Sequence, residues 1–196
     1  MFEKAKVVEF FDRLAPTWDE EIKCDTNKIN TILDYAKITK GQNVLDVACG
    51  TGVLFPFYLE REIKSVTGVD ISPEMITRAK RKFTDFRISL ICDDIENVAI
   101  DEKFDCCMVY NAFPHFGSPS VLIERLAALL CDGGRLTVAH GDSLAVIDGR
   151  HKNGASAVSI GLLPIDEMKK LFEPHFDVDV AVSDDKMYVM SGTRKG

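Results

Sequence analysis

The chain has 196 residues, 46% of them hydrophobic, which suits one domain, or one domain with a short lid, around a sizeable core. Lys and Arg total 24 against 31 Asp and Glu, a formal net charge of -7. That balance argues against nucleic acid as a partner, because neutralised phosphates supply much of such affinity.

The chain opens on MFEKAKVVEFFDRL, an amphipathic charged stretch without the pattern of a signal peptide. Val7, Phe10, Phe11 and Leu14 recur at helical spacing, and Ala15-Pro16 ends that helix. Ile29, Ile32, Leu33 and Ala36 repeat the pattern, with Asp25 or Thr26 as N-cap. Residues 1–40 are thus expected to form a helical cap, and residues 41–196 the main domain. After Lys40-Gly41 the rhythm changes. Val44 to Ala48 reads as a strand, Val53 to Glu60 as a helix and Ser65 to Val69 as a second strand. Pro73 suits the first turn of a helix reaching Lys82. The basic residues Arg78, Lys80, Arg81, Lys82 and Arg87 read as a solvated face there.

Ile88 to Cys92 is a third strand, and Phe104 to Tyr110 a nearly all-apolar fourth, as a central parallel strand requires. A helix spans Ser118 to Leu130. Gly133-Gly134 turns the chain into a fifth strand, Arg135 to Ala139. Residues 140–164 form a long connection of little periodicity, a place where function often sits. A short helix, Ile165 to Phe172, precedes a hairpin of Phe176 to Val182 and Met187 to Ser191.

Alternating strands and helices predict an α/β, Rossmann-like, doubly wound and mostly parallel seven-stranded sheet with an antiparallel terminal hairpin. Its ligand belongs at the carboxyl ends of the strands. Cys24, Cys49, Cys92, Cys106, Cys107 and Cys131 show no C-x-x-C spacing, and free thiols suit a reducing, cytoplasmic setting. No apolar run approaches a membrane span, so no membrane partner is expected. The sequence sets no oligomeric state.

The sharpest local signal is Val44-Leu45-Asp46-Val47-Ala48-Cys49-Gly50-Thr51-Gly52. A strand that stops at a Gly-x-Gly turn lets a ligand approach bare backbone. Asp70 closes the next strand, where an acid can accept hydrogen bonds from both ribose hydroxyls. Together these indicate an adenosine ligand. The third glycine of a dinucleotide fingerprint is replaced by Phe55, and no Lys follows as in a P-loop. A carboxylate at Asp46 would repel a pyrophosphate but suit a sulfonium or an amino group.

VLDVACGTGVL resembles motif I of the class I S-adenosylmethionine-dependent methyltransferases, and GVDISPEMITRAK resembles the motif after it. CDDIENVAI is similar to the third motif, and CDGGRLTVAH to the pattern after the fourth strand. FFDRLAPTWDE resembles the N-terminal segment of the ubiquinone/menaquinone-biosynthesis-like members, the methyltransferase type 11 group. The resemblance reaches about Ala139. It implies S-adenosyl-L-methionine as cofactor and methyl transfer to a small-molecule acceptor. It implies contacts from the turn by Asp46, Ala48, Gly50, Thr51 and Gly52, with Asp46 near the methionine end. It implies ribose contacts at Asp70 and Ile71. Asp94 and Ile95 would hold the adenine, with Asp93 as the register alternative and Met75 either on the adenine face or in the core. Asn111 would meet the amino acid part.

Methyl transfer from a sulfonium needs alignment and exclusion of water, and a base only where the acceptor carries a proton. Two loops offer candidates: His115 in Tyr110-Asn111-Ala112-Phe113-Pro114-His115-Phe116, and His140 at the end of the fifth strand. His140 is preferred, because Pro114 restricts its neighbour's backbone. Phe113 and Phe116 either line an acceptor pocket or plug the core. Asp142, Asp148 and His151 follow nearby, but loop spacing alone does not bring metal ligands together, and no metal is expected. A non-catalytic S-adenosylmethionine sensor remains an alternative. An NAD(P)-dependent reductase is a weaker one, since none of Tyr35, Tyr58, Tyr110 and Tyr188 begins a Tyr-x-x-x-Lys. An aminopropyl transferase fits less well, because Cys49-Gly50-Thr51-Gly52 lacks that family's richer, acidic glycine run.

Overall fold

The computed structural model describes residues 3–21, 24–150 and 157–196. Three helices come first: α1 (Lys4–Leu14), α2 (Trp18–Glu21) after a 3-10 turn at Ala15–Thr17, and α3 (Thr26–Tyr35). Then follow β1 (Asn43–Val47), α4 (Phe55–Glu60), β2 (Ser65–Asp70), α5 (Pro73–Lys82), β3 (Ile88–Cys92) and β4 (Phe104–Tyr110). The remainder is α6 (Pro119–Leu129), β5 (Leu130–His140), α7 (Leu144–Arg150), α8 (Ile165–Phe172), β6 (Phe176–Ser183) and β7 (Tyr188–Arg194).

The seven strands form one sheet in the order β3-β2-β1-β4-β5-β7-β6. β1 to β5 run parallel, and β7 enters antiparallel between β5 and β6. The order reverses beside β1, whose neighbours are β2 and β4, and that crevice is where ligands bind in such sheets.

Strand alternation splits the core in two. Val44, Val66 and Cys106 face α3, α4 and α5, where Ile32, Leu33, Tyr58 and Ile76 are buried. Leu45, Cys107 and Val109 face α6 and α8, where Leu122, Leu126, Met168 and Phe172 are buried. Helix α3 therefore belongs to the layer flanking the sheet, and α1, the 3-10 turn and α2 do the covering. Its N-cap is Asp25, whose side chain accepts from the Lys28 N–H at 3.1 Å.

Two elements differ from the sequence reading. Strand β5 begins at Leu130, which pairs with Phe104 before the register shifts at Gly133-Gly134. The glycines thus make an irregularity inside the strand. A Cβ on Gly134 would lie 2.9 Å from the Cys131 carbonyl oxygen. Helix α7 lies in the connection that showed little periodicity; one face carries Ile147, buried, and Leu144, partly buried. Among the described residues no helix is long and apolar enough to cross a membrane.

Candidate active site

A cavity of about 310 Å³ opens at the carboxyl ends of β1, β2, β4 and β5. Its floor is the turn after β1. Ala48 and Gly50 both take left-handed φ, 54° and 56°. That conformation is costly for Ala and easy for Gly. The turn is closed by the Gly52 N–H on the Cys49 carbonyl, 2.9 Å, and anchored by the Cys49 N–H on the Val69 carbonyl, 3.2 Å. The indole nitrogen of Trp18 lies 3.7 Å from where a Gly50 Cβ would be, so α2 covers the turn.

Asp70 stands at the end of β2. One carboxylate oxygen accepts the Gly50 N–H at 2.8 Å and the other the Ser72 N–H at 2.9 Å. Burial raises its pKa from 3.8 to about 6, against the pull of those two N–H groups, and the charge of Asp12 adds to the rise. Each oxygen keeps a lone pair for a ligand hydroxyl.

Of the residues the motif resemblance implied, Ala48, Gly50, Asp70, Ile71, Met75, Asp94, Ile95 and Asn111 line the cavity. Asp46, Thr51 and Gly52 do not. Asp46 is buried beneath the turn, where burial first and the charge of Asp70 second push its pKa well above the carboxylate range. Thr51 is also buried, and its hydroxyl donates to Asp19 at 2.5 Å. Lys82 joins the same cluster, 2.8 Å from Asp19. Gly52 is packed underneath, where a Cβ would lie 2.6 Å from the Phe55 ring and 2.7 Å from that of Phe83.

The Phe55 ring, in place of a third glycine, is fully buried. Gly68 on β2 makes room for it, since a Cβ there would lie 2.8 Å from the ring. A glycine on the strand thus does the work that the sequence pattern sought on the helix.

Asp94 bonds to Lys4 of α1, as does Glu96, and also accepts from the Asn97 amide at 2.7 Å. Asp93 lines the same wall and accepts the Asp94 N–H at 2.7 Å. At the other end, Asn111 follows β4 with a left-handed φ of 54°. Its side-chain oxygen accepts the Gly141 N–H at 2.9 Å, and its side chain also bonds to that of Tyr110. The loops after β4 and β5 are thus joined at the cavity rim.

Both candidate His line the cavity. His140 is buried with its ring edge toward Tyr188, centroids 6.2 Å apart. His115 ends a 3-10 turn, Phe113–His115, and meets the Phe11 ring edge-on at 4.9 Å. Pro114 sits inside that turn and does not send His115 away from the cavity. Of the two loop aromatics, Phe113 is buried in the core and Phe116 lines the cavity. Lys4, Glu96, Tyr110 and Ile147 also line it, and sequence reading singled out none of them for a ligand; Asp142, weighed there only as part of a loop metal set, lines it too. Lys4 acts on residues far along the chain, so no local pattern marked it. Among the described residues no group of three or more His, Cys, Asp or Glu is placed to hold a metal, and His151 lies outside those residues.

The fold and this site define a Rossmann-like domain with an adenosine-type crevice. The family described as "Methyltransferase domain" matches residues 44–134. The chain is 34% identical over 142 residues to a ubiquinone biosynthesis O-methyltransferase of Coxiella burnetii, covering 68% of this chain and 60% of that protein. It is 30% identical over 139 residues to a malonyl-[acyl-carrier protein] O-methyltransferase of Acetivibrio thermocellus, 69% of this chain and 49% of that protein. The chain thus spans about half the length of that relative. The structure of magnesium protoporphyrin IX methyltransferase from Synechocystis PCC 6803 superposes with a TM-score of 0.74 at 16% identity, covering 98% of this chain and 99% of the other. That of the N-methyltransferase NodS from Bradyrhizobium japonicum WM9 gives 0.74 at 14%, covering 96% and 98%. Over these spans the chain is similar to S-adenosylmethionine-dependent methyltransferases, a likeness that implies S-adenosyl-L-methionine as the cofactor. The site fits that group: a Cβ-less turn at Gly50, and a carboxylate at Asp70 with lone pairs to offer.

Proposed function

We propose that this chain is a cytoplasmic enzyme that methylates a small molecule from S-adenosyl-L-methionine. One observation carries the reading: the Asp70 carboxylate, bonded to the Gly50 N–H, faces a cavity at the strand ends beside β1. In this reading Asp70 and Ile71 hold the ribose, Asp94 and Ile95 the adenine with Met75 against its face, and Asn111 the amino acid part. Ala48 and Gly50 shape the floor, and Asp46, Thr51 and Gly52 support the turn from below. Bound there, the cofactor supplies a methyl group on a sulfonium, open to in-line displacement. The protein's part is to align the acceptor, keep water out and take a proton where the acceptor carries one. His140 or His115 serves as that base. Residues 4–21 supply the cover, with α1 and α2 over the cavity. Both curated relatives are named O-methyltransferases, which supports an oxygen acceptor.

Calorimetry tests the first half: the chain should bind S-adenosylhomocysteine, and NAD should give no heat. Formation of S-adenosylhomocysteine from the cofactor in the presence of a panel of small acceptors tests the second. Tight NAD binding without S-adenosylhomocysteine binding would sink the proposal.

A further inference from the structure

We propose that Lys28, Tyr110 and Gly141 form a clamp that fixes the Asn111 amide for the carboxylate of the bound cofactor, and so act as positioning residues for the ligand's amino acid end. The inference rests on the cofactor reading above and names residues that the motif resemblance did not imply.

Helix α3, β4 and the segment after β5 meet at one glycine. Tyr110 pairs with Ala139 at the end of the β4–β5 ladder, and the Asn111 N–H donates to the Ala139 carbonyl at 2.9 Å. The two segments therefore leave the sheet side by side. Both backbone groups of Gly141 are then held by side chains. Its N–H donates to the Asn111 side-chain oxygen at 2.9 Å, and its carbonyl accepts from Lys28 Nζ at 2.5 Å. Lys28 is 113 positions away in the chain, and its own backbone is fixed. Its N–H donates to the N-cap Asp25, and the next residue, Ile29, is buried in the core. A Cβ on Gly141 would lie 2.8 Å from the Tyr110 hydroxyl oxygen and 3.8 Å from Lys28 Cδ. Glycine is thus the residue that fits between those two side chains.

The consequence falls on Asn111. Its φ of 54° is left-handed, a conformation that Asn adopts more readily than most residues. Its amide has two unlike ends. Turning it over would set the NH₂ group against the Gly141 N–H, two donors face to face, so the oxygen stays on Gly141. The bond between the Tyr110 and Asn111 side chains holds the amide from a second side. Tyr110 and Asn111 both line the cavity. The donor end of the amide is thereby fixed as the end a ligand meets, which suits a carboxylate and not an ammonium. Lys28 is not among the residues that line the cavity, so it acts through Gly141. Its ammonium adds a positive charge behind the same glycine, a further attraction for an anion.

Calorimetry on the full chain with three ligands separates this role from a merely structural one. S-adenosylhomocysteine carries the whole amino acid part, its decarboxylated analogue keeps the amine alone, and 5′-methylthioadenosine carries neither. The wild type should bind the first more tightly than the other two. Lys28→Met and Tyr110→Phe should each weaken S-adenosylhomocysteine binding about 5- to 30-fold and leave the other two ligands within about 2-fold. Tyr110→Phe keeps the ring and so guards against a folding defect. Gly141→Ala should show the same selective loss, and adding Tyr110→Phe to it should cost little more, because the Cβ and the hydroxyl compete for one space. Equal losses on all three ligands would make the clamp structural only and overturn the proposal. So would unchanged S-adenosylhomocysteine affinity in both single variants, or a loss as large on the decarboxylated analogue. A wild type that binds all three ligands equally would also overturn it. A wild type that binds none of them would overturn the cofactor reading instead.

Discussion

The carboxylate of Asp70 holds the N–H of Gly50 at 2.8 Å, so the acid that ends β2 also fixes the turn that ends β1. Asp70→Ala removes a charged hydrogen-bond acceptor from both the turn and the ligand. Such a bond is worth about 1.5–3 kcal/mol, so S-adenosylhomocysteine affinity should fall roughly 10- to 100-fold by calorimetry, with the fold intact by circular dichroism. Normal binding would mean that the ribose is held elsewhere.

The same residue sets a pH dependence. Its pKa of about 6 in the free protein lies above the ordinary 3.8, chiefly through burial, so the carboxyl begins to protonate below about pH 6. A ligand that donates hydroxyls to the ionised form must then displace a proton. Affinity should weaken as the pH falls through 6, and binding near pH 6 should release a proton, seen as a buffer-dependent heat. Asp70→Asn should abolish that release. The sign follows from a raised acid pKa: the ionised form is favoured above 6 and lost below it.

Gly50 and Gly52 share left-handed φ but differ beneath. A Cβ at Gly50 meets only the Trp18 indole at ordinary contact distance, 3.7 Å, whereas at Gly52 it would lie 2.6 Å from the Phe55 ring. Gly50→Ala should cost about 1–2 kcal/mol of stability from backbone strain alone. Gly52→Ala adds overpacking, for a total of about 2–4 kcal/mol. Denaturant melts of both variants check the order, and equal losses would contradict it.

Asp94 is shared. Its carboxylate already accepts from Lys4 and Asn97, so an adenine amino group would be one donor among several. Asp94→Ala should therefore lower cofactor affinity by no more than about 10-fold, less than Asp70→Ala. Asp93→Ala removes an acceptor from the Asp94 N–H and should do less still. A larger effect at Asp93 would make it the adenine contact.

These contrasts mark what the sequence carries and what it leaves out. The glycine turn, Asp70 and the apolar run Phe104 to Tyr110 were legible because each expresses a local rule: left-handed backbone, a strand end, a buried parallel strand. Asp46 was legible as part of a motif, but not as a residue under the turn, because burial depends on what packs over it. Helix α7 escaped because its seven residues show too few turns to mark a period. The Lys4 bond to Asp94 and the Val158 bond to His115 span 90 and 43 positions, and only the folded sheet brings such partners together.

The cover over the cavity is tied down at three points, each ending near a candidate cofactor contact. Lys4 bonds to Asp94 and Glu96. Asp12 accepts from the Ser72 hydroxyl at 2.5 Å and the Glu74 N–H at 3.2 Å, just after Asp70 and Ile71. Asp19 holds Lys82 and Thr51 beside the glycine turn. The ion pairs among them have Lys ends more than a third exposed, and such pairs contribute about 0–1 kcal/mol each. A cover held by several weak ties can open and close, as exclusion of water during methyl transfer requires. Trp18 lies over Gly50 and is the only Trp in the chain, so its fluorescence reports the cover alone. Saturating S-adenosylhomocysteine should shift or quench its emission. Asp12→Ala and Asp19→Ala should each change affinity less than about 5-fold, while the double variant should release the ligand faster than either. Unchanged Trp18 emission at saturation, together with unchanged release from the double variant, would show that α1 and α2 are a fixed wall and that water is excluded by other means.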